Sequence, residues 1–293
     1  MFEKSVLPWE TGLIAKEIRT FEGTLQIQCL FTVGMRYSSD LTDAEWHLID
    51  YCFPKPSKTG RPREHSYREL LNAVFHLGKT ACQWRNLPTQ FAPWPTVYHY
   101  FRLWKHSGLW VTIHHHLRHH LRLVEGRAGH ASAGIFDSQS IKSTETSDER
   151  GYDAGKKVNG RKRHVLVDTI GLILLVMLLP ANIQDWDGAR QLLAAFFGQS
   201  PRRRIQHIWA DGGYAGTLVD WARRLWRCTV EIVKRSDLHT FRVLPRRWVV
   251  ERTFGWLGRY RRLNRDYERQ AQTGETMVYL AMIRLMLARL ARH

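Results

Sequence analysis

The stretch 160–179 reads GRKRHVLVDTIGLILLVMLL. Its β-branched and aliphatic residues predict two strands, over 162–168 and 172–179, joined by a hairpin turn at Thr169-Ile170-Gly171. The apolar run is far shorter than the roughly 18 to 20 residues that a membrane-spanning helix needs. The sequence therefore predicts a buried β-hairpin, and nothing in it indicates a membrane partner.

Further strands and helices are predicted on both sides of this hairpin. An apolar segment over 133–137 precedes it, and short strands are predicted over 205–210 and 229–233. Helical spacing of apolar residues predicts helices over 185–197, 216–226, 246–260 and 276–290. This order of strands and helices is typical of a mixed α/β sheet with helices on its faces.

The chain before residue 129 has a different character, because residues 42–125 show only helical patterns. Thr42 with Glu45 forms the sequence signature of a helix N-terminus, and helices are predicted over 42–52, from Ser66 to Gly78, from 95 or 96, and over 109–123. Short helices with basic loops favour a helix-turn-helix-like DNA-binding module, with a plain helical bundle as the alternative.

Three segments follow from these patterns. Residues 1–34 show neither a helical nor a strand period, so we expect them to be disordered or an extension from a start codon upstream of Met35. Residues 35–128 are predicted to form the helical domain, and 129–293 the α/β domain.

Charge is the most informative global property. The chain has 44 Lys and Arg against 27 Asp and Glu, a net charge of +17, and a pI of about 10.1. Such an excess indicates a polyanionic partner such as nucleic acid, although a generically basic protein remains an alternative. A hydrophobic content of 44% excludes a largely disordered chain. The four cysteines form no CxxC motif, which favours a reducing cytoplasm over a disulfide framework.

Three acidic residues are candidates for a metal site. Asp137 and Asp211 each follow a predicted strand, and Glu251 lies among apolar residues on a basic helix. Converging carboxylates repel one another unless cations offset their charge, and oxygen-only donors suit Mg²⁺ or Mn²⁺. Taken singly, each has a plain alternative: an aspartate before Gly-Gly forms turns, and a glutamate on a basic helix forms ion pairs. Asp168 is assigned to the hairpin turn and left out.

A basic cluster surrounds the second predicted strand. We interpret it as a set of phosphate contacts near the acidic residues, with a charged, solvated edge strand as the alternative. Its members are Lys156, Lys157, Arg161, Lys162, Arg163 and His164. His116 and His120 have the spacing of helical zinc ligands, but no acid or cysteine accompanies them, so an ordinary bundle helix is favoured.

Several segments resemble those of bacterial insertion-sequence transposases, most closely the fifth insertion-sequence family within the class related to the fourth. They are 37–46, 84–88, 136–142, 160–172, 210–216 and 246–257, and the resemblance covers about residues 35–290. It implies an RNase-H-like catalytic domain whose DDE triad falls on Asp137, Asp211 and Glu251.

The resemblance also bears on DNA contacts. Arg247 matches the arginine of the Tyr-Arg-Glu-Lys signature that surrounds the glutamate in the wider class. Leu244 and Gly258 stand where its tyrosine and lysine would be, so the signature is partial. Arg252 and Arg259 are the candidates to replace the lysine as a phosphate contact.

The activity that the resemblance implies is metal-dependent phosphoryl transfer. Two Mg²⁺ or Mn²⁺ ions would serve hydrolysis at the element ends and then attack of the freed 3′-hydroxyl on target DNA. The implied partners are double-stranded DNA, as terminal inverted repeats and target, and a second copy of the chain in a homodimer or larger synaptic complex. The implied location is the bacterial cytoplasm, in association with the nucleoid. A non-catalytic DNA-binding regulator and a Mg²⁺-dependent nuclease of the same fold are the alternatives.

Overall fold

A computed structural model describes residues 37–55, 63–199, 204–214, 216–233 and 248–293. The segment 1–34, with the predictions made for it, lies outside the described residues. Within the described part of the chain, none of the helices combines the length and the apolar content that crossing a bilayer demands.

The N-terminal half is helical, as predicted. Its helices are α1 (Asp43–His47), α2 (Tyr67–Thr80), α3 (Trp94–His106) and α4 (Leu109–Val124), with 3₁₀ turns at Asp50–Cys52 and Trp84–Asn86. The helix predicted over 42–52 is therefore split in two, and α2 runs past Gly78. That this half is a helix-turn-helix-like DNA-binding unit stays a prediction.

Side-chain caps explain where α1 and α2 begin. Thr42 and Glu45 form a capping box at α1, and Ser66 and Glu69 form another at α2. The Ser66 hydroxyl accepts a bond from the Glu69 backbone N–H at 3.2 Å, and the Glu69 carboxylate accepts one from the Ser66 N–H at 2.8 Å. Each box satisfies two backbone donors that the first helical turn leaves without partners.

The C-terminal half contains a six-stranded mixed sheet. The strands are β1 (Ala133–Lys142), β2 (Gly151–Asp153), β3 (Val158–Asp168), β4 (Ile173–Pro180), β5 (His207–Ala210) and β6 (Thr229–Ile232). β1 lies between antiparallel β3 and parallel β5, β6 continues the parallel part, and β2 and β4 pair with successive parts of β3. The predicted β3–β4 hairpin is confirmed, with Gly171 in the left-handed region at φ 86°.

In the described part of the chain, four helices cover the sheet, which confirms the mixed α/β class. They are α5 (Asp185–Gly198), α6 (Thr217–Trp226), α7 (Trp248–Gly258) and α8 (Ala271–Leu290). α5 and α6 pack with Phe136 and Ile208 on one face, whereas α7 and α8 pack with Ile135 and Trp209 on the other. Successive side chains of a strand point to opposite faces, which produces these two separate core clusters.

The core on the α7–α8 side continues into the N-terminal helices. It joins Leu71 of α2 and Leu117 of α4 to Ile283 of α8 and Val165 of β3. α8 is buried along most of its length, because it packs on the sheet on one side and on α2 and α4 on the other. The division predicted at residue 128 is thus crossed by one continuous apolar core.

Candidate active site

The register of the sheet brings two of the predicted acidic residues side by side. β1 pairs with β5 so that Ala133 lies opposite His207 and Ile135 opposite Trp209, an offset of 74 residues (207 − 133). The same offset separates Asp137 from Asp211, which directly follows β5. Adjacent strands are about 4.8 Å apart, so the two aspartates occupy neighbouring positions at this end of the sheet.

The face on which this pair lies follows from the alternation of side chains. Ile135 and Trp209 belong to the core beneath α7 and α8. Asp137 and Asp211 come two residues later, so they fall on that same face. α7 packs on β1 here, and its first turn carries Glu251, which is exposed. The three predicted acids therefore belong to one side of the sheet.

Backbone donors hold both aspartates in place. The Ser138 N–H donates to Oδ1 of Asp137 at 2.7 Å, and the Gly213 N–H donates to Oδ1 of Asp211 at 2.9 Å.

The buried Tyr214 side chain reports the negative charge near this pair. Burial raises the pKa of its hydroxyl well above the usual value, and the carboxylates of Asp185, Asp137 and Asp211 raise it further. Asp185 is therefore a neighbour of the predicted site. The sequence placed it only as an acid in the first turn of a helix, which it also is.

Asp185 is paired with a buried cation. The Lys162 ammonium lies 2.9 Å from its Oδ1 and 3.7 Å from Oδ2 of Asp153, and the Ser138 hydroxyl donates to Asp185 at 2.9 Å. Burial pushes the pKa of Asp185 upward, but the bonds from Lys162 and Ser138 outweigh it, so the pKa is lowered. Asp185 is thus an ionised, neutralised side chain beside the aspartate pair.

The three predicted acids do not form a metal-binding group among the described residues. In the ranges that the structure describes, no group of three His, Cys, Asp or Glu side chains is arranged to hold a metal ion. The structure brings together Asp137 and Asp211, with Glu251 on the helix over the same face. Two adjacent carboxylates are oxygen donors of the type that Mg²⁺ and Mn²⁺ prefer, so the donor chemistry fits a hard divalent cation.

The basic cluster on β3 is largely buried, which rules against the alternative of a charged, solvated edge strand. Its four buried members are Arg161, Lys162, Arg163 and His164. Arg161 pairs with Asp266 at 2.7 Å, and Arg163 donates to the Leu263 carbonyl at 3.2 Å. β3 has neighbours along both edges, and protein groups bind its arginine and lysine side chains. Phosphate contact by these residues stays a prediction.

His164 is buried between β3 and α5. It lies beneath Gly188 of α5, where a Cβ atom would come within 2.2 Å of the His164 ring. Burial lowers the pKa of His164 to about 4, so the ring is neutral near neutral pH.

The other predicted DNA contacts lie in different surroundings. Lys156 and Lys157 are exposed in the turn between β2 and β3, and Arg259 is exposed just after α7. Arg252 is half-buried, stacks over Trp248 and Trp256, and donates to the Ile170 carbonyl at 2.9 Å. Arg247 lies outside the described residues. DNA contact by these five residues stays a prediction.

Asp168 has the turn role that the sequence assigned to it. Its Oδ1 accepts the N–H groups of Ile170 and Leu172 at 3.0 and 2.8 Å, and its Oδ2 accepts a bond from Arg122 at 2.5 Å. The Asp168 side chain is completely buried.

Comparisons with known proteins identify the family of the chain. Residues 128–286 match the family model described as "Transposase DDE domain", and residues 41–114 match "Putative transposase of IS4/5 family". The first match covers more than half of the chain, so the chain belongs to the DDE transposase family, of the type related to the fourth and fifth insertion-sequence groups. The family resemblance found in the sequence is thereby confirmed.

Two individual matches can be described. A protein of Burkholderia cepacia named "Putative transposase for insertion sequence element IS402" is 33% identical over 117 residues, which is 38% of this chain. The chain spans little more than half of that relative, 56% of its length. A solved structure titled "Crystal structure of the Mos1 Strand Transfer Complex" aligns over 80% of this chain and 79% of its own, with 14% identity and a TM-score of 0.22. That score is too low to support an argument.

Proposed function

We propose that this protein is an active DNA transposase. It binds the terminal inverted repeats of an insertion sequence, cleaves the DNA at the element ends, and joins the freed 3′-hydroxyl to target DNA. It acts in the bacterial cytoplasm on nucleoid DNA. Because two element ends must be handled together, it works as a homodimer or larger assembly.

One observation carries this proposal: β1 pairs in parallel with β5 so that Ile135 lies opposite Trp209, two residues before Asp137 and Asp211, and α7, which packs on β1, carries Glu251. A central β1 with antiparallel β3 on one side and parallel β5 and β6 on the other also supports an RNase-H-like catalytic domain. Membership of the DDE family supports the same three acids as the catalytic set.

The chemistry is divided between the chain and two divalent ions. Asp137, Asp211 and Glu251 would hold Mg²⁺ or Mn²⁺, which when bound supplies activation of the attacking oxygen and stabilisation of the leaving 3′-oxygen. The Ser138 and Gly213 N–H groups orient the two aspartates.

Two neighbours adjust the charge of the site. Lys162 neutralises Asp185, so that a further negative charge does not add to the repulsion between the aspartates. The raised pKa of Tyr214 keeps its hydroxyl protonated near neutral pH, so the group close to the acids stays uncharged. The chain thus concentrates its net negative charge on the acids that would bind the metal.

The test is an assay with purified full-length protein, Mg²⁺, a labelled duplex bearing the element end, and a plasmid target. A strand-transfer product supports the transposase. Cutting without a joined product would instead support a nuclease, and binding alone would support a regulator.

Matched substitutions test the acids. Asp137→Asn, Asp211→Asn and Glu251→Gln should each abolish cleavage while leaving binding to the element end nearly unchanged. Asp220→Asn, at an exposed acid of α6, is the control and should cut normally. Retained cleavage in any of the three triad variants, or loss of binding with cleavage intact, would contradict the assignment.

A further inference from the structure

A strongly basic cleft of about 300 Å³ lies between α2, the end of α7 and the last turns of α8. Five cationic side chains line it, and none of the described lining residues is acidic. The five are Lys79, Arg259, Arg284, Arg289 and Arg292. A cleft walled by one sign of charge concentrates ions of the opposite sign.

Only one of these cations is neutralised by an ion pair within the described chain. Arg284 pairs with Glu45 of α1 and donates to the Ser39 carbonyl at 3.3 Å. Lys79 instead donates to the Arg259 carbonyl at 3.2 Å, which joins α2 to the end of α7 without cancelling charge. Arg259 and Arg292 are both exposed at the cleft. Most of its positive charge is therefore available to an anion.

The aromatic wall of the cleft is already covered by cations. The guanidinium of Arg289 lies 4.3 Å from the ring centroid of Trp256, and that of Arg252 lies 4.7 Å from it. Burial lowers the pKa of Arg289, and the like charge of Arg252 lowers it further. A bound anion would relieve this repulsion, whereas the occupied ring offers little room for a stacked base.

We propose that the cleft binds backbone phosphates of the same DNA strand whose phosphodiester reacts at Glu251. This inference rests on the proposed function. Arg259 lies eight residues beyond Glu251 along α7 and its end, or about 12 Å at the helical rise per residue. Successive nucleotides of one strand rise about 3.4 Å along the duplex axis, so the cleft meets the strand about three to four nucleotides from the reacting bond.

The form of the cleft favours a polymer over a small anion. Its cations come from separate elements, α2, the end of α7 and the end of α8, and Arg259 and Arg292 lie at its exposed side. Arginine presents a planar fork of donors that suits phosphate oxygens along a backbone. The assigned ligand is therefore a phosphodiester backbone that passes through the cleft.

Paired substitutions test this assignment through the salt dependence of DNA binding. The full-length protein carrying Arg259→Gln and Arg292→Gln is compared with one carrying Arg223→Gln and Arg224→Gln. The control changes the same number of charges on α6, on the opposite face of the sheet. Dissociation constants are measured for a short duplex of arbitrary sequence over a series of KCl concentrations.

The two pairs should behave differently. The slope of log K against log[salt] should fall by about 1 to 2 in the cleft pair, because each lost phosphate contact removes close to one released counterion. The control pair, and a cleft pair carrying Arg259→Lys and Arg292→Lys, should keep the wild-type slope. Tm values near that of the wild type show that the variants are folded. A glutamine pair with the wild-type slope, or an equal loss in the control, overturns the inference.

A second arm addresses free phosphate as the ligand. Inorganic phosphate is added at constant ionic strength, and Tm is compared with that in chloride. No difference is expected. A rise in Tm with phosphate that is absent in the glutamine pair, together with a wild-type salt slope in that pair, would assign the cleft to a small anion. That result would overturn the proposal. If the wild-type protein cuts and joins DNA but the glutamine pair keeps the wild-type slope, only the assignment of the cleft is rejected. If the wild-type protein binds no DNA, the proposed function is rejected as well.

Discussion

Replacing Asp168 with asparagine removes one charge from an ion pair that joins the β3–β4 turn to α4. Oδ2 of Asp168 lies 2.5 Å from NH1 of Arg122, and their side chains are 0% and 5% exposed. The asparagine oxygen can still accept the N–H groups of Ile170 and Leu172, so the turn itself keeps its bonds. The substitution therefore acts mainly on the buried guanidinium, which loses its counter-charge.

The expected cost is large because the remaining charge cannot reach water. Removing one partner of a buried ion pair destabilises a protein by about 3 to 5 kcal/mol. Total folding free energies are about 5 to 15 kcal/mol, so Asp168→Asn should remove about a fifth or more of the stability. Urea unfolding followed by circular dichroism measures this loss.

An exposed pair supplies the matched control. Asp43 and Arg68 are also 2.5 Å apart, but the Asp43 side chain is 63% exposed. Solvent screens such a pair, so Asp43→Asn should cost at most about 1 kcal/mol. Equal losses in the two variants would show that burial does not set the energy of these pairs.

The same variant separates a structural role from a catalytic one. At a temperature where Asp168→Asn remains folded, it should cleave DNA nearly as well as the wild type. Lost cleavage with unchanged stability would refute the reasoning, because Asp168 would then be a member of the active site.

The remaining predictions concern the packing and the titration of His164. Gly188→Ala should destabilise the protein by about 1 to 3 kcal/mol, because the added Cβ clashes with the His164 ring. Gly198→Ala is the control and should not destabilise the protein, because the space at its Cβ is open. Urea unfolding of the two variants measures the difference. The pKa of His164 is lowered to about 4 in the folded chain, so stability is complete above the unfolded pKa of 6.5 and declines as the pH falls through that value toward the folded one. The loss between about pH 7 and pH 5 should be about 2 kcal/mol more in the wild type than in His164→Gln. Equal losses in the two proteins would contradict this.

Local signals explain what could be predicted from the sequence. The β3–β4 hairpin and the capping box of Thr42 and Glu45 depend on residues within a few positions of one another, and both are present. The sequence placed Asp137 and Asp211 after strands; Asp211 does follow β5, whereas β1 continues past Asp137 to Lys142. That the two aspartates act together stays a prediction, which the pairing of Ile135 with Trp209 supports.

Long-range pairing explains what could not be predicted. Arg161 seemed available to phosphate because its partner, Asp266, lies 105 residues further along the chain. The proximity of Asp185 to the aspartate pair likewise depends on how α5 crosses the sheet. No spacing along the sequence encodes either contact, so both emerge only from the packed structure.

The continuous core around α8 limits how far this protein can be treated as modular. The segments 41–114 and 128–286 match separate family models, yet the cores of both include side chains of the twenty-residue helix α8. Neither segment expressed alone would keep its apolar side chains covered. A frameshift near the end of the gene would therefore disable the helical half as completely as the catalytic half. Exchanging either segment between relatives would require an α8 whose side chains pack against both segments.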